Sequence, residues 1–300
     1  KRRYAMRKLL LGTTALAAAA TLTANAALAD VSISGEYSWV YNSRSSNQNA
    51  LDGTTFGSDS EIHMKFSNKT DSGLTVSMTT EFYSDGGDSA IDESSITIAG
   101  GFGSVTLGQN DGAASSYSID EMDLIAEEAS PNVSSSSIGT SSDILLGDAD
   151  DTKVVYHLPA MGGLTAGISH TEGTAVGGAG STGWGARYAL DAGGAAITVG
   201  YATNTEENST KDIDTYNMGL KIVSGDLSMV VSQGERSASD EDVNNAGASI
   251  SYNMPNGMVV GAYTFKSEDD LDAGEEYTKS GVEVQYTIAS GLKAFINIDD

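Results

Sequence analysis

Leu74-Thr75-Val76-Ser77-Met78-Thr79-Thr80-Glu81-Phe82 carries the pattern that decides the fold. Leu74, Val76, Met78 and Phe82 fall on one parity, and Thr75, Ser77, Thr79 and Glu81 lie between them. Thr80 is the one polar residue on the apolar parity. Successive side chains of a strand point to opposite faces, so a period of two means an extended segment with one apolar face and one polar face. The same alternation returns at 216–222, where Tyr216, Met218, Leu220 and Ile222 interleave with Asn217, Gly219 and Lys221. It returns again at 282–288, where Val282, Val284, Tyr286 and Ile288 interleave with Glu283, Gln285 and Thr287. Outside the N-terminal leader, no segment of useful length sustains a 3.6-residue period.

The connections alternate as well. Tight turns rich in Gly, Asp, Ser, Asn and Pro sit near 71–73, 100–103, 159–163, 191–194, 224–225, 255–257 and 290–291. Longer, acidic, Ser/Asn-rich loops lie near 42–59, 84–93, 109–151, 172–182, 204–213, 233–244 and 266–276. A tight turn after every second strand and a long loop after the others means an up-and-down meander. Its turns collect at one end and its loops at the other, which is the asymmetry of outer-membrane barrels. A soluble sandwich needs Greek-key crossovers that break this alternation. A soluble barrel would pack its apolar parity inside, but this many strands enclose more volume than such small residues fill. The polar parity is therefore expected to face a wet lumen and the apolar parity lipid. Tyr41, Tyr156, Tyr188, Tyr201, Tyr216, Tyr252, Tyr263 and Tyr277 stand near strand ends, where they suit interfacial girdles or simply follow strand propensity.

Counting these segments predicts an all-β, transmembrane, antiparallel up-and-down β-barrel with about 15 strands present. An odd meander brings its first and last strands parallel, and bacterial single-chain barrels use even numbers. Sixteen strands are therefore expected in the complete protein, with the C-terminal strand following residue 300. A stop codon directly after Asp300 would overturn that expectation.

The leader sets the compartment. Residues 6–29 combine Arg7 and Lys8, an apolar run over 9–20 and an Ala27-Leu28-Ala29 cleavage site ahead of Asp30, the three parts of a secretory signal peptide. Its apolar core is short for a membrane anchor. Residues 1–5 precede Met6 and are read as non-native upstream residues. The mature segment 30–300 holds all 41 acidic residues and 11 of the 16 basic ones, a net charge of −30. That excludes nucleic acid, whose phosphates require Lys and Arg, and favours cations. There is no cysteine, so stability rests on hydrogen bonding and packing.

Three stretches carry a resemblance to the Gram-negative general diffusion porins, the alphaproteobacterial type in particular. Asp30-Val31-Ser32-Ile33-Ser34-Gly35 resembles their first strand. Gly101-Phe102-Gly103-Ser104-Val105-Thr106-Leu107-Gly108-Gln109 is similar to the turn and fifth strand that lead into their third loop. Lys153-Val154-Val155-Tyr156-His157-Leu158-Pro159 with Gly162-Gly163-Leu164 resembles their sixth strand, turn and seventh strand. The resemblance implies an outer-membrane location, a homotrimer, and a third loop folded inward whose acids face a row of basic residues across the pore.

The third loop here is 109–151. Its candidate pore-facing acids are Asp111, Asp120, Glu121, Asp123, Glu127 and Glu128, with a short helical turn expected within 119–129. A hairpin near 136–146 is the alternative reading of its length. The candidate basic wall is Arg44, which follows the first strand, with His63, Lys65, Lys153, Arg187, Lys221 and Lys293 on lumen parity. The family's wall carries a tighter arginine cluster than these positions supply. A sixteen-stranded barrel leaves a water-filled channel, the resemblance implies passive diffusion of small hydrophilic solutes through it, and the acid excess predicts that cations are preferred. No organic cofactor is expected. Structural calcium at Asp148, Asp150 and Asp151, at 240–242 or at 268–270 suits the ligand type but lacks EF-hand spacing, and solvated loops compete with it.

Three other functions compete. An enzyme would need a catalytic constellation, but the histidines are only His63, His157 and His170, and no Gly-x-Ser-x-Gly elbow is present. Gly178, Gly180 and Gly183 match a Gly-x-Gly-x-x-Gly spacing but open no helix, so they read as chance in a Gly-rich loop. A secreted acidic calcium-binding adhesin or surface-layer protein would leave the mature chain freely soluble. A substrate-specific channel would differ from a general porin in liposome swelling with graded sugars.

Overall fold

The computed structural model describes residues 30–44, 53–83, 91, 93–125, 151–173, 180–207, 212–238, 241–269 and 276–299. The leader, Glu127, Glu128, Asp148, Asp150, the 136–146 segment, Asp240 and Asp270 lie outside the described residues.

Fifteen strands form one antiparallel sheet in strict sequence order. They are β1 (Asp30–Arg44), β2 (Gly53–Lys69), β3 (Thr75–Tyr83), β4 (Ser94–Gly100) and β5 (Gly103–Gln109). Next come β6 (Thr152–His157), β7 (Leu164–Thr171), β8 (Ser181–Asp191), β9 (Ala195–Glu206) and β10 (Ile213–Ser224). The last are β11 (Leu227–Ala238), β12 (Glu241–Asn253), β13 (Met258–Asp269), β14 (Glu276–Ala289) and β15 (Leu292–Asp299). Each strand pairs with its sequence neighbours, and no register joins β15 to β1 among the described residues. Gly225 shows why the short connections work. With φ of +58° it closes the two-residue link between Ser224 and Leu227, a conformation that a residue with a Cβ resists.

Several strands run further than the sequence pattern suggested. The first long connection was expected over 42–59, yet Arg44 pairs with Gly53 and the ladder continues unbroken below it. Outward Phe56 stacks on Trp39 at 5.2 Å and lies 5.4 Å from Tyr41, which holds a polar Gly/Thr/Ser segment in the sheet. Likewise β11 and β12 reach Ala238 and Glu241, well into the expected 233–244 loop. Backbone pairing outweighs the polar side chains there.

The two faces are inverted relative to a soluble protein. Outward positions along the sheet carry Val154, Ile168, Trp184, Val199, Met218, Val231, Ile250, Val282 and Ile296, all exposed. Inward positions carry Asn204, Thr215, Asn217, Ser232, Asn245, Ser249 and Glu283, all buried. An exposed apolar belt of this extent marks a surface that needs an apolar partner, which the expected barrel would find in lipid. No helix among the described residues is long and apolar enough to cross a membrane. Ile168 lies near the middle of β7 on that belt. Ile168→Arg is expected to destabilise folding into phospholipid vesicles by about 2–4 kcal/mol, read as a lower urea midpoint.

Two tyrosines expected in the outer girdle turn inward instead. Tyr263 is 4 % exposed on the face that carries Gly261, Phe265 and Ser267, and Tyr277 lies 6.2 Å from the buried Phe265 ring. The local pattern of β13 is ambiguous, because apolar residues occupy both parities. Its register decides the matter by placing Tyr263 opposite the inward Ser249 and Gly281.

Candidate functional site

After β5 the chain does not stay outside. Residues 113–125 lie on the inner face of the sheet and cross it strand by strand. Helix α1 (Ala113–Tyr117) touches β6 to β9, and the 3-10 turn Glu121–Leu124 touches β11 to β13. The helical turn expected within 119–129 is present as Glu121–Leu124, and α1 precedes it without a strong helical signal in the sequence.

The wall accommodates this segment because it is stripped of side chains along its path. A Cβ on Gly185 would sit 2.7 Å from Tyr117 Cβ, and one on Gly200 2.9 Å from Ile119. One on Gly219 would collide with the Ile119 carbonyl oxygen and lie 2.6 Å from its Cβ. One on Gly247 would collide with the Glu121 carboxylate, and one on Gly261 would lie 3.0 Å from Ile125 Cδ1. Gly167 and Gly185 pair directly, as do Gly200 and Gly219, and Ser232 of β11 lies between Gly219 and Gly247, so small residues form a trench. Glycine inside a strand weakens it and marks the close approach of another backbone. That is the sequence signal by which the trench could have been found.

Hydrogen bonds pin the loop in the trench. Ala113 N donates to Ser169 Oγ at 2.9 Å, and Ile119 N donates to Asn217 Oδ1 at 3.1 Å. Arg187 Nε donates to the Tyr117 carbonyl at 3.0 Å, and its Nη2 donates to that of Ser118. Tyr117 Oη meets His157 Nδ1 at 2.8 Å. Burial pushes the Tyr117 phenol up from its ordinary pKa, against the opposing pull of Arg187, so it stays protonated as a donor. Asp120 caps the 3-10 turn, its Oδ1 accepting from Met122 N at 2.9 Å. Ser232 Oγ donates to Glu121 Oε2 at 2.9 Å.

The candidate site residues therefore separate into different environments. Glu121 is fully buried against β11 and β12, and Asp120 is 5 % exposed. Both serve the seating of the loop. Asp111 is exposed ahead of α1. Asp123 reaches Lys221 Nζ at 3.6 Å, an acid of the loop meeting a base of the wall. Arg187 faces inward as expected, but its guanidinium is committed to loop carbonyls. Lys153 is 4 % exposed on β6, opposite Gly108 and Thr171. Lys65 is exposed on β2, Lys293 lies on β15, and Arg44 closes β1 opposite Gly53. His63 lies between Glu61 and Glu81. Asp151 is exposed just before β6.

An all-antiparallel meander with an apolar outer belt, a polar inner face and an inward-seated third loop is a channel architecture. A family model described as Gram-negative porin matches residues 12–300. The chain belongs to the Gram-negative porin family. The porin is similar in fold to a loop-deletion mutant of OmpT from Vibrio cholerae, at TM-score 0.67 and 14 % identity, covering 90 % of this chain and 92 % of that one. It is similar to the anion-selective porin from Comamonas acidovorans at TM-score 0.62 and 17 % identity, with 90 % and 88 % covered. A triple mutant of Rhodopseudomonas blastica porin matches at TM-score 0.64 and 15 % identity, with 90 % and 94 % covered. No match is found among the curated proteins. The porin is an outer-membrane channel protein.

Proposed function

We propose that the porin passes small hydrophilic solutes passively, prefers cations, and is not an enzyme. The observation that carries this reading is the commitment of three inner basic groups, Arg187, Lys221 and Lys279. Arg187 is spent on loop carbonyls, Lys221 faces Asp123, and Lys279 Nζ holds Asp299 at 2.9 Å. Glu36, Glu61, Glu81 and Glu283 stand on the same inner face, in a chain whose formal net charge is −25. Carboxylates lining a pore lower the energy of a passing cation and repel anions. Selectivity is set by such side chains and not by the fold, so similarity to an anion-selective porin leaves it open to this charge balance.

The test is the zero-current potential of the porin in a planar bilayer across a potassium chloride gradient. The sign is expected to be that of cation permeation, and a clear anion sign overturns the proposal. Lys221→Gln should increase the cation preference, because it leaves the Asp123 carboxylate without its positive neighbour.

We further propose a homotrimer, exported through the leader at residues 6–29. One OmpT structure with a similar fold is titled as a trimer form. Migration of unheated porin on gels as a species three times the mass of the heated chain supports the assembly, and migration as a single chain overturns it. Calcium at Asp148, Asp150 and Asp151 remains a proposal tested by calcium-dependent thermal stability.

A further inference from the structure

We propose that the inner wall at β1 to β3 holds a first-row divalent transition-metal ion, zinc in the first instance, on Glu36, Glu61 and His63. These residues share the inward parity of three adjacent strands. Glu36 lies directly opposite Glu61, and His63 directly opposite Glu81. One ligand atom from each of Glu36, Glu61 and His63 falls within 4.8 Å of the others. Glu61 is 2 % exposed, and Glu36 and His63 are half-buried. The patch stands apart from the loop, whose described part covers β6 to β13.

The histidine is arranged as a metal ligand. Its Nδ1 lies 2.9 Å from Glu81 Oε1, so a carboxylate holds one ring nitrogen. A carboxylate holding one ring nitrogen is the outer-shell device that orients metal-binding imidazoles and raises their basicity. Nε2 faces Glu61 Oε2, 3.4 Å away, and this buried nitrogen makes no hydrogen bond. A metal ion bound by both atoms would account for a separation longer than the ~2.7–2.9 Å of a charge-assisted hydrogen bond. With Zn–N and Zn–O bonds of about 2.05 and 2.1 Å, a 3.4 Å separation subtends about 110° at the ion, the tetrahedral angle. Glu36 supplies the third ligand and water the fourth. Mixed imidazole and carboxylate ligation selects a first-row divalent ion over magnesium or calcium, which take oxygen alone.

The test is equilibrium dialysis of the folded porin in detergent against zinc chloride, with excess magnesium to saturate non-specific carboxylates. One zinc per chain is expected. His63→Gln and Glu61→Gln should abolish it, and Glu81→Gln should weaken it about 10- to 100-fold. Asp214→Asn, on a distant strand, should leave it unchanged. No magnesium-resistant zinc, or zinc that survives His63→Gln in a folded porin, overturns the proposal. Should the variants fail to fold, cobalt(II) bound to the unaltered porin decides. The intense visible absorption of a four-coordinate ion supports the site, and the weak spectrum of an octahedral one overturns it.

Discussion

Gly219→Val is expected to lift the third loop from the wall while leaving the barrel folded. The new side chain would occupy the place of Ile119, whose carbonyl oxygen and Cβ already press on the glycine. Overpacking of this kind costs about 1–3 kcal/mol. Each ~1.4 kcal/mol shifts the balance between seated and unseated loop tenfold. The strand itself gains, because valine favours extended backbone and glycine does not. The cost therefore falls on the loop. Single-channel recordings should show larger and noisier conductance with unchanged heat-modifiable migration. Conductance like that of the parent would mean that the trench does not seat the loop. Gly247→Leu, which displaces the Glu121 carboxylate, should act in the same direction.

Arg187→Ala is the second large effect, and its readout separates two roles. If Arg187 were a free pore base, its removal would mainly move the zero-current potential toward cations. As a clip on the Tyr117 and Ser118 carbonyls, it holds the turn out of α1. Hydrogen bonds from a charged donor contribute about 1.5–3 kcal/mol each. Their loss should increase current noise and open-channel conductance far more than it changes selectivity. Arg187→Lys should rescue only in part, because a single ammonium cannot reproduce the two-pronged geometry of a guanidinium. A pure selectivity change without altered noise would return Arg187 to the set of pore-facing bases.

The residues show what could be read in advance. The alternation of 74–82, 216–222 and 282–288 is local, and β3, β10 and β14 contain it in the register it implies. Parity also placed Arg187 and Lys221 on the inner face, because a strand leaves no other choice. Parity did not reveal what those side chains would do there. Asp123 meets Lys221 and Glu121 meets Ser232 across about a hundred residues of sequence. Glu121 resembled its acidic neighbours as a pore candidate, yet it is buried while Asp111 is exposed. Tyr263 was misassigned for a related reason: β13 offers two plausible faces, and only its neighbours choose between them.

The sequence by itself determined a two-faced antiparallel meander with turns at one end and loops at the other, because side-chain alternation and turn chemistry act over a few residues. Only the tertiary structure decided where the third loop lies and which charges remain available to the pore. Those outcomes depend on six glycines from separate strands lining up into one trench, and on Arg187, Asn217 and Ser232 finding loop atoms there. A glycine inside a strand marks a close approach, but only strand register across the whole sheet lines such positions up.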